Sequence, residues 1–258
     1  MAAARRRRGR ALRIPWELEP AGEPYVAPHS KLVTPVRLPD GTEAVLKVAN
    51  EDDWESDREP EALRFWAGDG AVRLIDHDPE TRSMLIERCR PGTALGTDYD
   101  LGALQIAAGL LRQLWRPPPP DVPWRTLAEA AERWARELPE RYTGRIVDEA
   151  VEGIDMLTAT APEQVLCHQD LHGHNVLRAE RRPWLAIDAK PIVGEPAYDT
   201  VALVRDAKPS LVELRRRLDA LADLLELDRD RMRLWGLVKS LAWDNPDEAE
   251  LFAAVRFS

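Results

Sequence analysis

The chain has 258 residues, 44% of them hydrophobic and 31% charged, with a formal net charge of −9. That balance excludes wholesale disorder, and no run approaches the ~18 apolar residues of a membrane span, so an integral membrane protein is excluded as well. The first ten residues hold five Arg and no acid, which leaves −14 on the rest, a body that repels nucleic acid and attracts cations.

The Arg-rich head, residues 1–13, reads as a disordered tail, with a basic arm that touches RNA or a membrane as the alternative. Its basic flank resembles the start of a secretory signal, but Pro15, Glu17 and Glu19 stand where the apolar stretch should be. Cys89 and Cys167 are too few for a disulfide scaffold, so a reduced, cytoplasmic setting is expected. Two β-rich runs, 32–38 and 44–48, flank Pro39-Asp40-Gly41-Thr42 and predict a hairpin. A helix over 52–67 follows, interrupted near Pro60 and stopped by Gly68 and Gly70. Residues 71–75 and 83–87 read as two further strands. The order up to residue 88 is therefore β-β-α-β-β.

Pro91-Gly92 then breaks the chain, and the character changes. Residues 101–115 are apolar at helical spacing, Pro117 to Pro120 form a stiff spacer, and amphipathic helices are expected at 125–138 and 145–159. Between 165 and 188 short apolar runs at 165–167, 176–177 and 184–187 alternate with polar loops. From Ala197 onward the pattern is helical, with Leu211, Leu214, Leu218, Leu221 and Leu225 forming one stripe that belongs in a core. The composite is α+β: a small β-rich N-terminal lobe (14–88) and a larger, mostly helical C-terminal lobe (89–258).

The chemistry concentrates in Cys167-His168-Gln169-Asp170-Leu171-His172-Gly173-His174-Asn175, with Asp188 beyond it. A catalytic zinc site built from His168, His172 and His174 would support a metal-dependent hydrolase. Spacing opposes it, because residues four apart converge only on a helix and Gly173 with the flanking strand-like runs makes a helix improbable here. The oxygen-bearing side chains offer another reading. Phosphoryl transfer needs one carboxylate to accept the nucleophile's proton, and an Asn with a second carboxylate to hold Mg²⁺ against the phosphates. Asp170 and Asn175 have the Asp-x-x-x-x-Asn spacing of the protein-kinase catalytic loop. Upstream, Lys47 is a lone charge inside the apolar strand Val45-Leu46-Lys47-Val48, costly to bury without an anionic partner such as nucleotide phosphate.

Four collinear segments, AVLKV (44–48), EALRFWAGDGAVRLI (61–75), HQDLHGHNVL (168–177) and LAIDAKPIVGEPAYD (185–199), resemble the aminoglycoside phosphotransferase superfamily of kinase-like enzymes. The resemblance is closest to its streptomycin 6-kinase/hydroxyurea phosphotransferase branch. It implies a bilobal, protein-kinase-like fold and transfer of the γ-phosphate of ATP to a hydroxyl of an aminoglycoside-like antibiotic or related metabolite. Asp170 would be the catalytic base, and Asn175 and Asp188 would hold Mg²⁺. Lys47 would bind the α- and β-phosphates, partnered by Glu59 or Glu61. Glu59 is preferred because Ala62, Leu63 and Trp66 share its helix face, although Pro60 opposes a helical Glu59. Residues 86–90, Glu87 and Cys89 among them, would be the hinge whose backbone reads adenine. His168 and Asp199 would brace the catalytic loop, with Asp199 as an ordinary helix acid the alternative.

Several positions depart from the family pattern. The loop around 26–32 has no glycine to cover phosphates, and Ser30 and Lys31 are either phosphate contacts there or loop filler. Gln169 and His174 stand where many relatives have glycine, which puts the loop's backbone path in question. Lys190 would offset phosphate charge or pair with Glu195. A kinase-like binding module without turnover is the reading from a different class, and the intact Lys47, Asp170, Asn175 and Asp188 oppose it. The expected partners are nucleotide and a hydroxylated small molecule, cationic in keeping with the acidic body, with Asp98, Asp100, Glu195, Asp244 and Asp247 as candidate contacts. Neither nucleic acid nor membrane is expected.

Overall fold

A computed structural model describes residues 15–27 and 30–257; the expected Arg-rich tail at 1–13 lies outside the described residues. Contacts divide the chain into two compact units, one running to Asp53 and adding Leu74–Arg88, the other made of Trp54–Arg73 and Cys89–Ser258.

The first unit is a five-stranded antiparallel sheet of β1 (Glu19–Pro20), β2 (Ser30–Arg37), β3 (Glu43–Ala49), β4 (Leu74–Asp78) and β5 (Ser83–Glu87), in the order β1-β2-β3-β5-β4. The hairpin of β2 and β3 turns where expected. Asp40 Oδ1 accepts the Thr42 amide at 2.8 Å and Gly41 takes φ 88°, a conformation glycine adopts without steric cost. One face buries Val36, Ala44, Leu46, Val48 and Leu85, with Trp16, Leu18 and Leu32 packed against them. β1 went unforeseen, because a two-residue strand carries no alternation to read. The fourth strand begins three residues later than expected. Ala71 instead bridges Ala186, whose carbonyl accepts the Val72 amide at 3.0 Å, so the apolar start of that run belongs to the second unit.

The second unit holds α1 (Glu59–Trp66), α2 (Leu101–Leu114), α3 (Leu127–Arg141), α4 (Arg145–Ala159), α5 (Pro196–Asp199), α6 (Val201–Arg205), α7 (Leu211–Leu225), α8 (Arg229–Ala242) and α9 (Pro246–Ala254). Pro60 does not interrupt a helix: it sits in the first turn of α1, where its missing N–H would have had no intrahelical partner. Short antiparallel pairs lie among the helices: β6 (Val165–Cys167) with β9 (Ile192–Gly194), and β7 (Val176–Arg178) with β8 (Trp184–Ala186). β9 was another unforeseen strand of three residues. Of the leucine stripe on α7, Leu214, Leu218, Leu221 and Leu225 are buried, whereas Leu211 is exposed at the first helical position, before the apolar face begins.

Candidate active site

The loop 168–175 leaves β6 and enters β7, and Asp188 follows β8. Three hydrogen bonds close these segments on each other. Ile187 N donates to Asn175 O at 2.9 Å, Lys190 N donates to His168 O at 3.0 Å, and His168 Nε2 lies 3.0 Å from Ile187 O. They bring Asp170, Asn175 and Asp188 into one neighbourhood. Burial pushes the Asp170 carboxyl above its ordinary range, and the Asp188 carboxylate adds to the rise, while His172, Lys239 and Lys190 oppose it. A carboxylate with a raised pKa is a stronger proton acceptor.

The backbone path of the loop is unusual at two positions. Gln169 takes φ 68° and Asp188 φ 59°, left-handed conformations that cost a non-glycine residue roughly 1–2 kcal/mol. Gln169 therefore keeps the conformation that glycine favours, and every polar group it carries is engaged. Its amide donates to Asp199 Oδ1 at 2.6 Å, and its carbonyl accepts from Lys239 Nζ at 2.7 Å. Its side chain donates to Glu55 Oε1 at 3.0 Å and accepts from Arg125 at 3.3 Å. These contacts hold the strained residue in place.

Asp199, fully buried on α5, also accepts the His168 amide at 3.0 Å and Trp115 Nε1 at 2.9 Å. Burial raises its pKa, and those three donors pull it back. From the opposite side Gly173 N donates to Tyr99 OH at 2.7 Å, and Tyr99 donates to Asp206 at 2.5 Å. A Cβ on Gly173 would lie 1.7 Å from the Gly96 carbonyl oxygen, so only glycine fits there.

The three histidines do not converge. His168 is buried, stacked on Trp66 with centroids 6.1 Å apart, whereas His172 and His174 meet edge to face at 6.0 Å. Among the described residues no three His, Cys, Asp or Glu side chains form a metal cluster. The oxygen donors suit a different ion. Asn175 Nδ2 donates to Asp170 O at 2.9 Å and lies 3.4 Å from Asp170 Oδ2, so Oδ1 is the atom it has to offer a cation. With the Asp188 carboxylate this makes a set of oxygen donors, the kind that suits Mg²⁺.

Lys190 lies 3.6 Å from Asp188 Oδ1 and bonds Ser56 Oγ, not Glu195. Glu195 is buried instead against Arg231, 2.7 Å away, and Trp235 Nε1. Asp100 caps α2 by accepting the Ala103 amide, and Asp244 pairs with Arg141, so these acids have structural work. In the first unit, Lys47 is buried on the central strand β3, registered between Val33 and Met84, while Ser30 begins β2 and Glu87 ends β5. In the second, Glu59 is buried at the start of α1 and Cys89 is buried as well.

Residues 15–246 match the family described as aminoglycoside/hydroxyurea antibiotic resistance kinase. The chain belongs to that family. A streptomycin 6-kinase of Streptomyces griseus is 37% identical over 254 residues, covering 90% of this chain and 80% of the relative. A hydroxyurea phosphotransferase of Kitasatospora aureofaciens is 39% identical over 246 residues, covering 90% and 71%. In fold, a thermostable mutant of the aminoglycoside phosphotransferase APH(4)-Ia, crystallised with ADP and hygromycin B, superposes with a TM-score of 0.58 over 92% of this chain and 90% of that one, at 18% identity. The architecture is thus the α+β kinase-like fold, and the chain is a phosphotransferase of the antibiotic-kinase type.

Lys239 was missed in the sequence, although it carries the signal that marks Lys47, a single charge inside an apolar run, here Leu237-Val238-Lys239-Ser240-Leu241. It is fully buried beneath the loop, 4.7 Å from the Tyr198 ring and 4.6 Å from the Trp243 ring. Burial, with Arg205 adding to it, lowers its pKa from 10.5 to about 8, against the pull of Asp170, Asp199 and Glu55. Between these values the unfolded chain binds a proton that the folded one has released, so stability rises with pH across that window. Wild-type unfolding free energy should therefore gain up to about 3 kcal/mol relative to Lys239→Met between pH 8 and 10.5, measured by urea denaturation. Parallel curves for the two proteins would remove the buried cation from this account.

Proposed function

We propose that the chain transfers the γ-phosphoryl group of ATP, with Mg²⁺, to a hydroxyl of an aminoglycoside-like antibiotic or related small molecule. The observation that supports this reading is the closure of 168–175 onto 187–190 by backbone hydrogen bonds, with Asp199 holding the amides of His168 and Gln169 just before Asp170. Asp170 accepts the proton of the acceptor hydroxyl as its oxygen attacks phosphorus. The bond to the bridging oxygen breaks and ADP leaves with the electron pair. Asn175 and Asp188 hold Mg²⁺, which when bound offsets phosphate charge. In this reading Lys47 and Ser30 serve the phosphates, and the backbone at Glu87 and Cys89 reads the base. His168, stacked and hydrogen-bonded, keeps the loop in register.

The acceptor in this reading is cationic, drawn by a chain of net charge −9. No helix among the described residues is long and apolar enough to cross a membrane, and we place the protein in the cytoplasm, where ATP is made. Asp188→Ala should weaken binding of ADP with Mg²⁺ at least tenfold by calorimetric titration, while His172→Ala and His174→Ala leave it within about twofold. Equal loss in the histidine variants, with stoichiometric zinc in the purified protein, would favour the hydrolase reading.

A further inference from the structure

At φ 68° the backbone of Gln169 adopts a conformation that glycine takes without steric cost and that any side chain strains. Backbone geometry therefore gives no reason for a glutamine here, and the contacts of its side chain do. Gln169 is buried, and its two polar side-chain atoms face partners of opposite kind. Nε2 donates to Glu55 Oε1 at 3.0 Å, and Oε1 accepts from Arg125 Nη2 at 3.3 Å. Turning the amide over would set its oxygen against a carboxylate and its NH₂ against a guanidinium, so one orientation is selected.

Both partners are anchored elsewhere. The Arg125 carbonyl accepts the Val193 amide of β9 at 2.9 Å, and Arg125 Nη2 lies 3.2 Å from the carbonyl oxygens of Lys190 and Pro191. Glu55 belongs to a single 3₁₀ turn, Trp54–Ser56. Its carboxylate sits 3.6 Å from Arg125 Nη1, and the Trp54 ring lies 4.9 Å from the same guanidinium. The next residue, Ser56, takes the ammonium of Lys190, which is 3.6 Å from Asp188 Oδ1. The turn is thus tied through Gln169 to the residue before Asp170, and through Ser56 and Lys190 to Asp188.

We propose that Gln169 is a positioning residue for phosphoryl transfer: its side chain clamps the peptide that carries Asp170 to the turn Trp54–Ser56 and, through Arg125, to the segment that follows Asp188. The proposal rests on the phosphotransferase reading above and adds to it a residue that acts through Asp170. Displacing a reacting group by about 1 Å costs up to roughly 10²-fold in rate, so a loosened clamp is read in kcat.

Gln169→Gly tests it, because glycine keeps the backbone conformation and removes only the clamp. With streptomycin as acceptor, kcat should fall about tenfold while KM for ATP and for streptomycin stay within about twofold. Tm should change little, since the strain released offsets two lost hydrogen bonds. Glu55→Ala should lower kcat to a similar extent, and Glu55→Gln, which keeps an oxygen for Gln169 Nε2, should recover to within about threefold of wild type. The double variant Gln169→Gly/Glu55→Ala should be no slower than the slower single one, as expected of two halves of one contact. Gln169→Gly within twofold of wild-type kcat, a loss confined to KM, no recovery in Glu55→Gln, or a double loss equal to the product of the single losses would each return the side chain to a packing role. Any of these would leave the phosphotransferase reading standing. A wild type that transfers phosphate to neither streptomycin nor hydroxyurea would overturn that reading, and the role of Gln169 with it.

Discussion

Asp170→Asn is expected to fold with the wild-type Tm and to lower kcat by about 10²–10⁴-fold, with KM for ATP little changed. The substitution keeps size and polarity but removes the proton acceptor. The main-chain contact survives, because Asn175 Nδ2 bonds the Asp170 backbone carbonyl at 2.9 Å, which an asparagine retains. The raised pKa of Asp170 sharpens the expectation. A buried carboxyl near Asp188 accepts a proton more readily than an exposed one, and an amide does not accept it at all. Steady-state ADP release against acceptor concentration is the measurement. A variant within tenfold of wild-type kcat would place the proton elsewhere.

Asp199→Ala should cost about 3–5 kcal/mol of unfolding free energy, the scale at which a buried charge network loses its acceptor. Three donors converge on this carboxylate, the amides of His168 and Gln169 and the indole of Trp115, and all lose their partner at once. The damage should be local in origin, since Gln169 has a left-handed φ of 68° and depends on that acceptor to stay there. A fall in the urea midpoint at unchanged slope would report lost stability in an otherwise native fold. A variant within 1 kcal/mol of wild type would return Asp199 to the status of an ordinary helix acid.

What could be read from the sequence was what lies close together in it. Asp170, Asn175 and Asp188 fall within one short stretch, and residue type with spacing was enough to suggest their chemistry. The bounds of α4 and β5 were legible for a similar reason, α4 as an amphipathic run opened by Gly144 and β5 as one short apolar run. Residues that act across long separations were not legible. Lys239 reaches Gln169 from seventy positions away, and Glu55 reaches it from 114. No spacing rule links those positions. Pro60 misled because the same residue breaks a helix interior and opens a helix start, and only the end of the preceding turn decides which. The Gln169 substitution for glycine raised a doubt about the backbone that the hydrogen bonds of Asp199, Lys239, Glu55 and Arg125 answer.

The central claim is phosphate transfer to a small-molecule hydroxyl, and the most direct test follows both products together. Wild-type protein with ATP and Mg²⁺ is incubated with streptomycin and with hydroxyurea, ADP is quantified, and the acceptor is weighed by mass spectrometry. The account predicts one phosphoryl group gained by an acceptor for each ADP formed, with both signals lost in Asp170→Asn. ADP formed with free phosphate and an unmodified acceptor, or transfer that persists undiminished in Asp170→Asn, would contradict it.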